Sequence, residues 1–373
     1  MHTKSSSKRV CVSIGNMGSG GIWGVASDWM KALHGAGYEI DLFVLEEPET
    51  TGRKPPSYVT VHKGGIRVRS SLSLFVNYLR THQPDVIVAA RVPVLALTAL
   101  ALQLYNGQCK FIATTHTNWT AEAEHVSLVK MLYYKLGSIA LQFADRVVAV
   151  SEGVAEDISR WSGVTGEDVI VIPNAAWGHS KKVKMQGAPD HPWLTPSRDY
   201  KVIVSVGRFC LQKDFETLLI AFANVIKEKD VRLLIYGDGR ERKKLISLAN
   251  RMGLSESVSF PGYANNVLKE IKAADMFVLS SRWEGFGNVL VEALGAGLPI
   301  VSTDCPSGPS EILGNGKYGM LVPVGNPEAM SEAILKSLHC NPDTQSLKSR
   351  AESFTFTQIS GQYVSVVDTI VNN

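Results

Sequence analysis

The sequence predicts an α/β protein of two doubly wound domains, each built on a parallel sheet. Short runs rich in β-branched residues alternate with longer stretches of helical periodicity, which is typical of βαβ units. The alternation stops at residues 173–198, which are rich in Pro, Gly, Lys and His, and then starts again. With 373 residues, 45% of them hydrophobic, the chain has enough apolar material for two cores.

The predicted strands are spread over both halves of the chain. In the first half they are residues 9–14, 39–45, 58–62, 85–90, 109–114, 146–150 and 169–172. In the second half they are residues 200–206, 231–236, 257–260, 275–279, 299–302 and 319–322. Helices are predicted between most of them; residues 26, 29, 30 and 33, for example, form one apolar stripe at helical spacing.

Charge and cysteine usage exclude several classes of protein. The net charge of +3 is too small to indicate nucleic acid as the main partner. The five cysteines are widely spaced and favour neither a disulfide framework nor a metal knuckle, so a reducing, cytoplasmic compartment is expected. No Asp-x-Asp follows a predicted strand and no His or Cys pair has ligand spacing, so no metal site is predicted.

Two apolar stretches are interpreted as parts of the fold. The run at residues 10–14 is too short for a signal peptide, so the basic residues 1–9 are read as a tail before a strand. Residues 86–105 contain Arg91 and Pro93, which favour a strand, a turn and a buried helix over a membrane span.

Ligands of doubly wound sheets bind at the carboxyl ends of the strands, so the loops there are the candidate sites. The loop at residues 15–21 contains Gly18, Gly20 and Gly21 between a strand and a helix, where backbone amides can approach an anionic or hydroxyl-rich ligand. It lacks the G-x-G-x-x-G dinucleotide fingerprint in register. The alternative is a loop that needs glycine only for its dihedral angles.

The loop at residues 207–214 places two cations, Arg208 and Lys213, after a strand and before a helix. Cations in such a turn can bind a diphosphate through charge-assisted hydrogen bonds. Solvated surface charges are the alternative, but they give no reason for bracketing a strand-to-helix turn.

The segment at residues 283–292 is the strongest signal, because it holds two carboxylates spaced as E-x7-E. Glu284 precedes the predicted helix, where it can accept hydrogen bonds from sugar hydroxyls, and Gly285 and Gly287 are expected to let a phosphate approach the backbone amides. Glu292 lies within an apolar helix with small neighbours that leave room for a ligand such as ribose. An unpaired carboxylate there would be costly, which favours a binding role.

Two further residues are weaker candidates. Glu311 falls in the first turn of a short predicted helix, where helix capping and a donor-sugar contact are both open. His116 closes the strand at residues 109–114 and faces the expected cleft, although a lone histidine is more often structural.

With these motifs the chain resembles the retaining glycosyltransferases of family 4, which have the GT-B fold of two facing Rossmann-like domains with an interdomain cleft. The resemblance covers nearly the whole chain and is densest at residues 207–313. It implies that Glu284 contacts the donor sugar and Glu292 the nucleotide ribose. It also implies that Arg208 and Lys213 bind the donor diphosphate and that His116 lies near the transferred sugar.

The implied catalytic set is therefore His116, Arg208, Lys213 and Glu284. The implied donor-binding set is Gly18, Gly20, Gly21, Arg208, Lys213, Gly237, Tyr263, Glu284, Gly285, Phe286, Gly287, Asn288, Val289 and Glu292. The glycine loop departs from the family at residues 22–24, Ile-Trp-Gly, where many members carry a small residue, an acidic residue and Arg. Because of this departure, the acceptor contacts of the family are not assigned to residues of this chain.

The resemblance also assigns roles to the domains. Residues 1–195 are expected to bind the acceptor and residues 196–355 the nucleotide sugar. Residues 356–373 are expected to form a helix that packs back on the first domain. No cofactor and no metal ion are expected to be required, and the expected substrate is a UDP-sugar.

The expected function is retaining transfer of a hexose or N-acetylhexosamine from a UDP-sugar to a glycan or lipid-linked acceptor in surface polysaccharide, lipopolysaccharide or oligosaccharide assembly. A nucleotide-sugar epimerase of the same fold and a non-catalytic nucleotide-sugar-binding protein are the alternatives. A dehydrogenase is the weakest, because the dinucleotide fingerprint is missing.

The segment at residues 126–136 combines apolar and aromatic residues with Lys130 and Lys135, and Arg67, Arg69 and Arg80 are nearby in sequence. This composition suits peripheral attachment to an anionic lipid surface, the cytoplasmic face of the inner membrane. An ordinary buried helix with two exposed lysines is the alternative.

Overall fold

The structure, a computed structural model, describes residues 8–18, 21–45, 54–65, 70–125 and 128–372. The chain divides into two compact units, one comprising Met1–Ala175 with Thr357–Asn373 and the other Ala176–Phe356. Each unit is built on one parallel sheet with helices between the strands, so the predicted fold class is confirmed.

The sheet of the first unit has the strand order β3-β2-β1-β4-β5-β6-β7, all parallel. Its strands are β1 (Arg9–Ile14), β2 (Glu39–Val44), β3 (Val59–Lys63), β4 (Val86–Ala90), β5 (Lys110–Thr115), β6 (Arg146–Ala149) and β7 (Val169–Val171). Its helices are α1 (Gly21–Gly35), α2 (Ser71–His82), α3 (Val92–Tyr105), α4 (Trp119–Ala123), α5 (Leu128–Leu141) and α6 (Glu152–Ser162). The central strand β4 is buried along its whole length, as expected for a parallel sheet covered on both faces.

The sheet of the second unit has the order β10-β9-β8-β11-β12-β13, again parallel. Its strands are β8 (Lys201–Val206), β9 (Val231–Tyr236), β10 (Val258–Gly262), β11 (Met276–Leu279), β12 (Ile300–Thr303) and β13 (Met320–Val322). The helices of this part of the chain are α7 (His179–Lys184), α8 (Phe215–Val225), α9 (Arg242–Arg251), α10 (Val267–Ala273), α11 (Asn288–Ala296), α12 (Pro309–Ile312), α13 (Pro327–Leu338) and α14 (Thr344–Glu352). Every predicted strand is present, with ends within two residues of the predicted ones.

Residues 176–195 pack with the second unit, so the predicted boundary at residue 195 is wrong. The carboxylate of Glu270 is one physical reason. It accepts hydrogen bonds from the backbone amides of Asp190 at 2.7 Å and His191 at 3.3 Å and from the Tyr236 hydroxyl at 3.0 Å. Glu270 is 1% exposed, and these bonds offset the cost of burying its charge. Composition alone does not reveal this buried acceptor.

The last helix, α15 (Phe356–Val371), belongs to the first unit from Thr357 onward. Tyr363 packs its ring against Trp29 of α1, with ring centroids 4.5 Å apart, and Asp368 accepts a hydrogen bond from the hydroxyl of Tyr38. The helix thereby buries Tyr363 together with Ile359, Val366, Val367 and Ile370.

Candidate active site

The loops after β8 and β11 leave the second sheet side by side. These strands are neighbours, and the strand order runs outward from them in opposite directions, which makes this the switch point where doubly wound sheets bind ligands. The backbone amide of Arg282 donates to the Gln212 carbonyl at 2.7 Å, and the Gln212 side chain donates to the Trp283 carbonyl at 3.0 Å. The structure thus joins the Arg208–Lys213 motif to the motif that begins at Trp283.

The ammonium group of Lys213 donates a hydrogen bond to Oε1 of Glu284 at this switch point. The Ser281 hydroxyl donates to the same oxygen at 2.7 Å. Both side chains are largely buried, Lys213 being 14% and Glu284 8% exposed, so the ion pair offsets the desolvation of each charge. Among the described residues Oε2 of Glu284 has no hydrogen-bond partner, which leaves an acceptor for a ligand hydroxyl.

The position of Lys213 is fixed by its neighbour Asp214. Asp214 has the left-handed backbone conformation, with φ of 44°, which is uncommon for a residue with a side chain. Its buried carboxylate accepts a hydrogen bond from Thr217 at 2.9 Å and lies 3.1 Å from Nε of Arg282. The Ser280 hydroxyl donates to the Lys213 carbonyl at 2.8 Å. Both sides of the turn are therefore attached to the loop after β11.

Arg208 is exposed, and its guanidinium makes no hydrogen bond or ion pair with any residue that the structure describes. Its planar fork of donors suits the paired oxygens of a phosphate. Arg208 is thus available to an anionic ligand, whereas Lys213 already forms an ion pair with Glu284.

Two glycines allow backbones to approach closely around the site. A Cβ on Gly237, which has φ of 137°, would lie 1.9 Å from the carbonyl oxygen of Gly207. A Cβ on Gly308, with φ of 102°, would lie 1.9 Å from the carbonyl oxygen of Phe286. No other residue type fits either position. Gly237 therefore has a packing role, and its predicted contact with the donor stays a prediction.

Helix α11 begins at Asn288, directly after Gly287, which has φ of 103°. The first amides of the helix and its dipole face the carboxyl edge of the sheet, where a phosphate is stabilised. The Phe286 ring packs inside the unit, with its centroid 5.5 Å from that of the Phe354 ring. A contact of Phe286 with the donor would therefore be made by its main chain. Val289 is half-buried and Tyr263, after β10, is 76% exposed.

Glu292 lies on α11, one turn beyond Asn288, and its side chain is 14% exposed. Its Oε1 forms an ion pair with Nζ of Lys181 at 2.5 Å. Each carboxylate of the E-x7-E pair thus has a lysine partner in the second unit, Lys213 for Glu284 and Lys181 for Glu292.

In the first unit His116 follows β5, and its Nε2 lies 2.9 Å from the Thr114 hydroxyl. That hydroxyl donates its one proton to the Ala89 carbonyl at 3.1 Å, so it accepts from Nε2–H of His116. The neutral ring then carries its proton on Nε2 and leaves Nδ1 as an acceptor. Desolvation lowers the pKa of His116 to about 4, which keeps the imidazole neutral near pH 7.

The glycine loop follows β1 in the same unit. The Gly18 amide donates to the side chain of Asn16 at 3.1 Å, and Gly21 is the first residue of α1. Gly20 lies outside the described residues. Within the described ranges, no group of three His, Cys, Asp or Glu side chains is arranged to hold a metal ion.

Sequence reasoning missed four residues that organise the second unit's site: Lys181, Asp214, Ser281 and Arg282. Asp214, Ser281 and Arg282 adjoin the predicted motifs, and a polar residue directly after a buried strand is a signal that finds Ser281 and Arg282. Lys181 lies in the segment read as a link, more than a hundred residues before its partner, and no local pattern indicates it.

Two families match the chain. Residues 19–176 match the family described as Glycosyltransferase Family 4, and residues 190–354 match the one described as Glycosyl transferases group 1. The lipopolysaccharide core biosynthesis glycosyltransferase LpsE of Rhizobium meliloti (strain 1021) is 33% identical over 59% of this chain and 60% of LpsE. The amylovoran biosynthesis glycosyltransferase AmsD of Erwinia amylovora is 27% identical over 80% of this chain and 82% of AmsD.

A solved structure has the same fold. Anabaena Alr3699/HepE in complex with UDP aligns with 97% of this chain and 100% of that chain, with a TM-score of 0.76 and 18% sequence identity. At this identity the likeness shows the fold alone. The two family matches, which between them span residues 19–176 and 190–354, show that the chain belongs to the family 4-type glycosyltransferases.

Proposed function

We propose that this chain transfers a hexose or an N-acetylhexosamine from a UDP-sugar, with retention and without a metal ion, to a glycan or lipid-linked acceptor in cell-surface polysaccharide or lipopolysaccharide assembly. The ion pair of Lys213 and Glu284 at the switch point carries the proposal. It sets a phosphate-binding cation and a hydroxyl-binding carboxylate at one place, which are the two groups that the transferred sugar and its phosphate need.

The reaction breaks the bond between the sugar's anomeric carbon and the diphosphate oxygen and forms one to the acceptor oxygen on the same face. The departing diphosphate takes the acceptor's proton. Arg208, Lys213 and the amino end of α11 stabilise the charge that develops on the diphosphate. Lys213 can bridge Glu284 and a phosphate, because an ammonium group has three donors.

The similar proteins support the substrate classes. LpsE and AmsD are described as acting in lipopolysaccharide core and amylovoran biosynthesis, and Alr3699/HepE is described in complex with UDP. The match spans 60% of LpsE, so its substrates are carried over to this chain as proposals only.

The test is a screen of nucleotide sugars by thermal shift with and without EDTA, followed by turnover of the best donor with labelled glycan and lipid-linked acceptors. We expect a UDP-sugar to stabilise the protein equally under both conditions and NMR of the product to show a retained anomeric configuration. An inverted product, or turnover abolished by EDTA, contradicts the mechanism. Interconversion of donors without transfer would support the epimerase, and binding without turnover the non-catalytic reading.

We further propose that α5 brings the protein to an anionic membrane surface, from the cytoplasmic side. Leu132, Leu136 and Ile139 are each more than half exposed, and Phe143 continues the stripe at helical spacing. Lys135 is exposed beside them. An apolar stripe flanked by positive charge suits insertion at a lipid interface.

The remainder of that segment has other roles. Tyr134 is 2% exposed and packs against Trp119, and Lys130 pairs with Glu122 at 2.6 Å. Arg67 and Arg69 lie outside the described residues. None of the helices in the described ranges has the length and hydropathy to cross a bilayer.

Sedimentation with anionic vesicles tests the membrane contact. Leu132→Ser with Leu136→Ser should lower the affinity for vesicles by about 10² or more, because each leucine contributes about 1.5–3 kcal/mol when buried and every 1.4 kcal/mol is a factor of ten. Ile220→Ser is the control. Ile220 is an isoleucine of the second unit that is 36% exposed, so the change also replaces a partly exposed aliphatic side chain by serine. Equal sedimentation of all forms would disprove the contact.

A further inference from the structure

The segment from Trp177 to Lys184 is attached to the second unit at both ends. A Cβ on Gly295 of α11 would lie 2.3 Å from the Trp177 ring, so the ring sits directly on that helix. The Trp177 indole donates to Glu352 at 3.0 Å. At the other end the Lys184 carbonyl accepts from the Asn266 side chain at 2.7 Å. The helix between these contacts, α7, is therefore held at a defined place beside α11.

Lys181 reaches from α7 to the carboxylate of Glu292. The two side chains are 27% and 14% exposed, and Nζ lies 2.5 Å from Oε1. Within the part of the chain that the structure describes, the Glu292 carboxylate has no other hydrogen-bond partner. A carboxylate has about four lone-pair sites and the lysine uses one of them, so two adjacent hydroxyls of a ligand can still be accepted.

We propose that Lys181 is a positioning residue of the donor site: it holds the Glu292 carboxylate in the orientation that binds both hydroxyls of the nucleotide ribose. This inference rests on the proposed function, in which Glu292 takes the ribose. A buried, unpaired carboxylate on a largely apolar helix would lower its free energy by rotating toward water. A charged partner that offsets the desolvation of the carboxylate removes this tendency. The anchored lysine is that partner, and it pre-organises the carboxylate before the nucleotide binds.

Lys182 provides a matched control on the same helix. It pairs with Glu352 at 2.7 Å, and both of these side chains are about half exposed, at 49% and 47%. Lys181→Met and Lys182→Met remove the same charge from adjacent positions of α7. Only Lys181→Met removes the partner of Glu292. An effect that came from the lost charge alone, or from weaker packing of α7, would appear in both variants.

The experiment measures the affinity of UDP and of 2′,3′-dideoxy-UDP by calorimetry for the wild type and for each variant. We expect Lys181→Met to weaken UDP binding about tenfold, the effect of losing the alignment of a hydrogen bond to a charged group. Binding of dideoxy-UDP should be unchanged by Lys181→Met, because that ligand lacks both ribose hydroxyls. Lys182→Met should leave both affinities unchanged, and Lys181→Arg should restore part of the affinity for UDP.

Three results would overturn the inference: unchanged UDP binding by Lys181→Met, tighter binding, or an equal loss for both nucleotides. Glu292→Gln separates this failure from that of the proposed function. If Glu292→Gln binds UDP as the wild type does, the proposed ribose site itself is wrong. If Glu292→Gln loses affinity only for the ligand with ribose hydroxyls and Lys181→Met does not, the ribose site stands and the role of Lys181 is refuted.

Discussion

Lys213 and Glu284, 71 residues apart in the sequence, share a hydrogen bond at the carboxyl edge of the second sheet. The pair exists because β8 and β11 are neighbours, so that the loops following them meet. Each partner neutralises the other while each keeps capacity for a ligand, donors on the ammonium group and Oε2 on the carboxylate. Two of the predicted catalytic residues therefore act as one unit.

Lys213→Met should lower kcat for the best UDP-sugar by on the order of 10², because a charge-assisted contact to the departing diphosphate is lost. Steady-state kinetics at saturating donor measures the change. Lys244→Met is the control, since Lys244 forms an exposed ion pair with Glu216 at 2.5 Å on the same unit. Normal turnover by Lys213→Met would refute the assignment of this lysine to the diphosphate.

The same pair should show coupling in stability. Lys213→Met leaves the buried Glu284 charge without its cation, which should lower the free energy of unfolding by about 3 kcal/mol. Adding Glu284→Gln removes that charge and should recover part of the loss. Chemical denaturation of both single variants and the double variant gives the coupling energy. Strictly additive losses would show that the two side chains do not stabilise each other.

His116 should stay neutral across the physiological pH range. Desolvation lowers its pKa to about 4, well below the value of about 6.5 for a histidine in an unfolded chain. As the pH falls below 6.5 the unfolded chain takes up the proton first, so His116 lowers stability progressively down to about pH 4. NMR titration of the ring carbons measures the midpoint. A midpoint near 6.5 would contradict the desolvated, neutral imidazole.

Tyr363 should contribute through its ring rather than its hydroxyl. The ring packs on Trp29, whereas the buried hydroxyl has no hydrogen-bond partner among the described residues. Tyr363→Ala should lower the free energy of unfolding by about 3 kcal/mol through the cavity it creates. Tyr363→Phe removes an unsatisfied polar atom and should be neutral or stabilising. Equal destabilisation by both variants, measured in denaturant, would show that the hydroxyl is bonded.

The alternation of strands and helices in the sequence predicted the fold because buried parallel strands leave a strong local pattern, as in β4. Lys213 and Glu284 were predicted from loops that follow strands. Their contact was not, since only the strand order brings them together. Glu270 and Lys181 could not be found in the same way, because they lie on the helices α10 and α7 and not in loops that follow strands.

The crystal structure of the protein bound to UDP tests the central claim most directly. The account predicts the diphosphate against Arg208, Lys213 and the first amides of α11, with the ribose hydroxyls on Glu292. Density for the nucleotide at any other place on the second unit, with Lys213 and Glu284 still paired only to each other, would contradict it.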